Sequence, residues 1–130
     1  MKVLLAIKEE FASKIFEGTK RYEFRKSIFK KPGVTSVVVY VTAPVGKVVG
    51  EFEIGEVLSD NPAAVWEQTK QASGISKAFY DRYFDDRPRA YAIEVKSVKR
   101  YAKPKDLRTD FNIGFAPQSW VYLTQQNFEG

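Results

Sequence analysis

Short apolar runs broken by polar turns organise the chain. Lys2 to Ile7 is apolar and rich in branched residues, which predicts a buried strand. Glu9 and Glu10 then open a helix with Phe11, Ala12, Ile15 and Phe16 on one face, acids at its positive end and Gly18 to stop it. Arg21 to Arg25 alternates, with Tyr22 and Phe24 on one side and Arg21, Glu23 and Arg25 on the other, so it reads as a half-buried strand. After a turn at Lys31-Pro32-Gly33, Ser36 to Thr42 reads as a fully buried strand. A turn at Ala43-Pro44-Val45-Gly46 leads into a long strand, Lys47 to Leu58, in which Gly50 and Gly55 signal bends or bulges.

Asn61-Pro62 is a cap followed by a first-turn proline, predicting a helix to about Gln71 that Gly74 breaks. Ile75 to Tyr83 predicts a further helix, and Arg89 to Tyr101 another long strand with Tyr91, Ile93 and Val95 alternating against Ala92, Glu94 and Lys96. Pro104 to Asn112 reads as irregular, Pro117 as the start of a short helical turn, and Trp120 to Leu123 as a last strand. About six strands with helices inserted at two places define an α+β fold, expected as a small, mostly antiparallel β-barrel. One domain is expected over residues 1–124, with 125–130 as a frayed tail.

Composition narrows the chemistry. The 130 residues include no cysteine and no histidine, which removes disulfides, thiolate catalysis, imidazole ligands and the usual neutral-pH base. A metal would need oxygen ligands, and proton transfer near pH 7 a perturbed Glu, Asp, Lys or Tyr. The adjacent acids Asp85-Asp86 read as a loop, so neither a metal nor a cofactor is expected. Apolar runs are too short to span a bilayer and the N-terminus reads as a strand rather than a signal, which predicts a cytoplasmic protein without membrane association.

The net charge of +5 is unevenly distributed. Lys20 to Lys31 carries six bases against Glu23 alone, and Arg87 to Lys105 seven against Glu94 alone, while Glu51, Glu53, Glu56 and Asp60 form an acidic stretch. If the basic segments meet, their combined potential suits an anionic partner, nucleic acid above all; the alternative is two solvated strand edges.

No phosphate loop, nucleophile elbow or dinucleotide fingerprint occurs. What remains is Gly18-Thr19-Lys20-Arg21-Tyr22-Glu23-Phe24-Arg25-Lys26. Bases beside one acid on a strand facing a cleft would hold a phosphate while the carboxylate accepts hydrogen bonds from a base edge. An ion-pair ladder among Lys20, Glu23 and Arg25 would explain the same residues. Aromatic residues are mostly core material, and Tyr22, Tyr40 and Trp120 are the rings that adjoin the expected cleft segments.

The run from Leu5 to Lys26 resembles the opening of the ASCH domain family, a branch of the PUA-like barrels. Its signature is glycine, then lysine two positions on, then Glu, Ser or Thr, then arginine, which here are Gly18, Lys20, Glu23 and Arg25. Val41 to Val45, Val49 to Glu53, Gly74 to Ser76, Tyr91 to Ile93 and Phe115 to Ser119 resemble stand-alone prokaryotic members described as regulator-like, so the likeness runs from about residue 3 to 123. It implies a cleft beside the first helix and its following strand, suited to RNA, another single-stranded nucleic acid or a nucleotide-like ligand. Candidate contacts are Lys20, Tyr22, Glu23, Arg25, Lys26, Thr42, Gln118 and Ser119. Some members are enzymes, either credited as ribonucleases or acting as acetylcytidine amidohydrolases with a lysine, a threonine nucleophile and a glutamate. Lys20 matches the lysine; in an enzyme acting on RNA or a modified nucleoside, Lys20 and Glu23 would be the catalytic residues as a buried acid/base pair. Glu23 stands where the amidohydrolases have threonine, and their distal glutamate has no clear counterpart near Glu67 to Gly74.

Overall fold

The computed structural model describes residues 1–124 and Asn127. Strand β1 (Lys2–Ile7) leads into helix α1 (Glu9–Glu17), then β2 (Tyr22–Arg25), β3 (Ser36–Val41) and the long β4 (Lys47–Asp60). Helices α2 (Pro62–Thr69) and α3 (Lys77–Tyr83) are separated by a 3₁₀ turn, Lys70–Ala72. The long β5 (Ala90–Lys105), α4 (Leu107–Phe111) and β6 (Trp120–Leu123) complete the order.

The caps read from the sequence are present. Gly18 ends α1 in the left-handed region with φ 91°, and the Asn61 side chain accepts from the Ala64 amide at 2.9 Å to start α2. Glycines bend β4 as expected, since its register against β5 shifts between Val48 and Gly50 and again between Ile54 and Val57. Gly50 has a second reason to lack a side chain, because a Cβ there would lie 2.7 Å from the Phe16 ring of α1.

All six strands form one sheet in the order β2-β5-β4-β3-β1-β6, with β1 and β3 parallel and every other pair antiparallel. The expected barrel is corrected by this order: the sheet is mostly antiparallel but open, with β2 and β6 as its edges. Both edge strands are four residues long. The β2 ladder runs only along Tyr91 to Glu94 of β5, and the β6 ladder stops at Leu5 of β1, so no backbone ladder joins them. A side chain bridges the gap instead: Arg25 of β2 donates from Nη1 to the Ala6 carbonyl of β1 at 3.3 Å and from Nη2 to the Ser119 carbonyl ahead of β6 at 3.5 Å.

Hydrophobic burial fills both faces of the centre, which is why β1 and β3 read as continuous apolar runs rather than alternating ones. Val3, Leu5, Ile7, Val37, Val39, Phe52 and Ile93 pack with Ala12 and Ile15 of α1, whereas Leu4, Val38, Tyr40 and Val48 pack with Phe111 and Ile113. A third cluster joins Phe24, Ala90 and Ala92 to Val65, Tyr80 and Phe84 of the α2–α3 region.

Two expectations at the C-terminal end change. Pro104 to Asn112 is ordered rather than irregular, because β5 continues to Lys105 and Asp106 caps α4 by accepting from the Arg108 and Thr109 amides. Pro117 opens no helical turn and lies in an irregular segment before β6. The expected fraying of 125–130 falls outside the described residues except at Asn127, whose Nδ2 donates to the Phe111 carbonyl at 2.8 Å. Among the described residues no helix is long and apolar enough to cross a membrane.

Candidate functional site

Where the sheet fails to close, the end of β1, α1, β2 and α3 surround an open cavity of about 170 Å³. Its polar side is Lys8, Lys20, Glu23 and Arg25, and its apolar side is mainly Phe11, Phe24, Ile75, Phe79 and Tyr83. The Phe11 and Phe79 rings meet edge to face at 5.3 Å, holding α3 against α1 across the cavity.

Lys20 is placed by the end of α1. The Lys14 carbonyl accepts the amides of Gly18, Thr19 and Lys20, each at 3.1 Å, which reverses the chain directly into β2. The Arg21 amide then donates to the Ala72 carbonyl at 2.8 Å, so the segment after α2 lies over Lys20. Gly74 in that segment has φ 71°, and a Cβ on it would come within 2.5 Å of the Lys20 Cβ. Only glycine lets the connector close on the lysine stem. The result is a lysine 1% exposed, its ammonium donating to the Ser73 carbonyl at 2.9 Å and lying 4.6 Å from the centre of the Phe24 ring. Burial lowers its pKa from 10.5 to about 8; Glu23 opposes the shift and Lys14 adds to it.

Glu23 is also buried, at 6% exposure, although it lies on an edge strand. Arg25 Nη1 donates to Glu23 Oε2 at 3.2 Å, and both side chains are largely withdrawn from solvent. This guanidinium therefore has two tasks, holding the carboxylate and bridging the open seam. Tyr83, on the α3 wall, has its hydroxyl pKa raised mainly by burial, with Arg25 opposing and Glu23 adding to the rise.

Lys20, Glu23 and Arg25 thus converge as the sequence pattern suggests, and the remaining candidates do not join them. Tyr22 packs into the α2–α3 cluster, and Tyr40, 7% exposed, belongs to the core on the α4 side. Trp120 packs against the α1-side core with its ring 6.4 Å from Phe29. Lys26 is exposed, with Nζ 4.7 Å from the Tyr83 ring, beside the cavity rather than in its wall. Thr42 donates its amide to the Ile7 carbonyl at 3.1 Å without lining the cavity, and Gln118 is exposed away from it. Ser119 contributes its carbonyl to Arg25 and not its hydroxyl to the wall. Among the described residues no serine or threonine lines the cavity, and no cluster of acids could hold a metal ion.

The rings that do line it are Phe11, Phe24, Phe79 and Tyr83. Phe11 and the Phe79–Tyr83 pair were visible in the sequence as apolar positions on α1 and α3. Nothing in the sequence shows that these two helices face each other.

An α+β fold built on an open, mostly antiparallel sheet, with a charged and aromatic cavity at its seam, defines the class of domain. The chain belongs to the ASCH domain family, whose profile matches residues 5–104. It is 23% identical over 128 residues to an ASCH domain-containing ribonuclease of Zymomonas mobilis, covering 95% of this chain and 84% of that protein. The crystal structure of ASCH from Zymomonas mobilis has the same fold, with a TM-score of 0.87 and 23% identity over 97% of this chain and 90% of that one. A segment of the ATP synthase subunit alpha of Ureaplasma parvum is 35% identical over 122 residues, 93% of this chain, which spans only 15% of that larger protein.

Proposed function

We propose that the seam cavity binds RNA, taking one unpaired base against its aromatic wall while the surrounding cations meet the phosphates. The observation that carries this reading is the convergence of Lys20, Glu23 and Arg25 with four aromatic rings in one open cavity. A base needs a flat apolar wall and hydrogen-bonding groups for its edge, and single-stranded RNA supplies unstacked bases. Lys8 in the wall and Lys26 beside it supply positive charge for the backbone. A relative carrying the name ribonuclease supports RNA over other anions.

Titration of fluorescent single-stranded RNA and DNA at several salt concentrations tests it. Affinity should fall steeply from low to physiological salt as counterions are released, and Phe79→Ala should weaken binding. Absence of binding even at low salt would remove the reading.

A second reading, RNA cleavage, rests on the depressed Lys20 pKa. With a value of about 8, an appreciable fraction of Lys20 is neutral near pH 7.5 and can accept a proton from a ribose hydroxyl. Mass spectrometry of RNA incubated with wild type and with Lys20→Ala separates the two, since identical backgrounds leave a binding module. Hydrolysis through a covalent acyl-enzyme has no support in the site, because among the described residues no serine or threonine hydroxyl lines it.

A further inference from the structure

We infer that the cavity selects guanine. This rests on the reading that an unpaired base enters it, and it follows from the hydrogen-bonding capacity that the site leaves unused. Arg25 occupies one lone-pair position of Glu23 Oε2 and fixes the carboxylate beside the seam. Among the described residues none donates to Oε1 and no buried side-chain oxygen or nitrogen lacks a partner, so this atom reaches accessible space; Glu23 lines the cavity. A carboxylate offers about four acceptor sites over two oxygens, so both oxygens still accept. Lys20 supplies the complement: its ammonium has three donors, of which the Ser73 carbonyl takes one.

The site therefore presents two adjacent acceptors beside a cationic donor. Uracil has a single N–H flanked by two carbonyls. Adenine and cytosine each have one amino group next to a ring acceptor. Guanine alone places a ring N–H and an amino N–H side by side, matching both carboxylate oxygens, with its carbonyl O6 next in line for Lys20. Two parallel charge-assisted bonds give that pairing its selectivity. Glutamate at position 23 carries this specificity: threonine, which has one hydroxyl, could not accept two bonds on two atoms.

The test uses the full chain and fluorescent hexaribonucleotides of uridine in which one central residue is guanosine, inosine, adenosine, cytidine or uridine. Guanosine should bind at least about tenfold more tightly than the last three, the scale of one bidentate base contact. Inosine keeps O6 and the ring N–H but lacks the 2-amino group, so it should lose most of that advantage. Glu23→Gln should erase the preference for guanosine over the other four bases. Equal affinity for all five, or a preference for another base, overturns guanine selection while leaving RNA binding intact. Failure of every oligonucleotide to bind at low salt overturns both. The wild-type series decides without the variant, so a Glu23→Gln protein that fails to fold does not rescue the inference.

Discussion

Burial of the Lys20 ammonium gives the protein a pH dependence that an exposed lysine would not produce. The folded-state pKa is about 8 against 10.5 for the unfolded chain. Below pH 8 both states carry the charge and the folded state bears the full cost of burying it. Between pH 8 and 10 the folded state has released the proton that the unfolded state still binds, so stability rises with pH. The gain should be about 2–3 kcal/mol by the linkage between pKa and free energy. Above pH 10 the tyrosines work against it, because burial raises the Tyr80 pKa to about 12 and also raises that of Tyr101, so folding holds protons that the unfolded chain releases. Urea unfolding of wild type and Lys20→Met from pH 7 to 10 checks this; the upward slope should vanish in the variant. A flat wild-type profile would mean that the ammonium is better solvated than its surroundings indicate.

The connector between α2 and α3 is the element that covers this lysine, and Gly74 is its tightest point. Gly74→Ala puts a side chain into a left-handed backbone and against the Lys20 stem. The two costs together should reach about 2–4 kcal/mol, measured by denaturant unfolding, with a loss of RNA affinity as Lys20 is displaced. The opposing control is Gly18→Ala, where a Cβ meets nothing within 4 Å and only the backbone conformation is penalised. Elements of this kind differ in how far the sequence reveals them. The boundaries of α1, β2 and β4 follow from local signals: Gly18 as a cap, the two-residue period of Tyr22 to Arg25, and glycine bends in β4. Lys20, Glu23 and Arg25 were legible because they sit within six residues of one another. Phe11 and Phe79 were not, since they lie 68 positions apart and only tertiary packing brings their rings together. Tyr40 and Trp120 misled for the complementary reason, as proximity in sequence to a cleft segment does not decide which face a ring takes.

Across the whole molecule, the open seam links fold and function. A fully closed ladder would pair β2 with β6 through backbone hydrogen bonds, whereas the two short edge strands leave room for a cavity and give Arg25 the task of tying the β2 edge to β1 and the segment before β6. Arg25→Ala removes these bonds and leaves Glu23 buried without its cation, so it should cost about 2–4 kcal/mol and raise amide hydrogen exchange in β2 and β6. The long basic strand makes a different contribution. Only Tyr91 to Glu94 of β5 pairs with β2, and its bases from Lys96 to Lys105 lie along β4 near Glu51 and Glu53, where Lys96 approaches Glu53 at 3.8 Å. The two basic segments of the sequence therefore meet over only part of their length, and the distal one is partly offset by acids. Amide chemical-shift mapping during titration with a short single-stranded RNA distinguishes the seam from this arm. The largest changes should cluster at Lys8, Phe11, Lys20, Glu23, Phe79 and Tyr83; changes confined to Lys96 through Lys105 would contradict RNA binding at the seam.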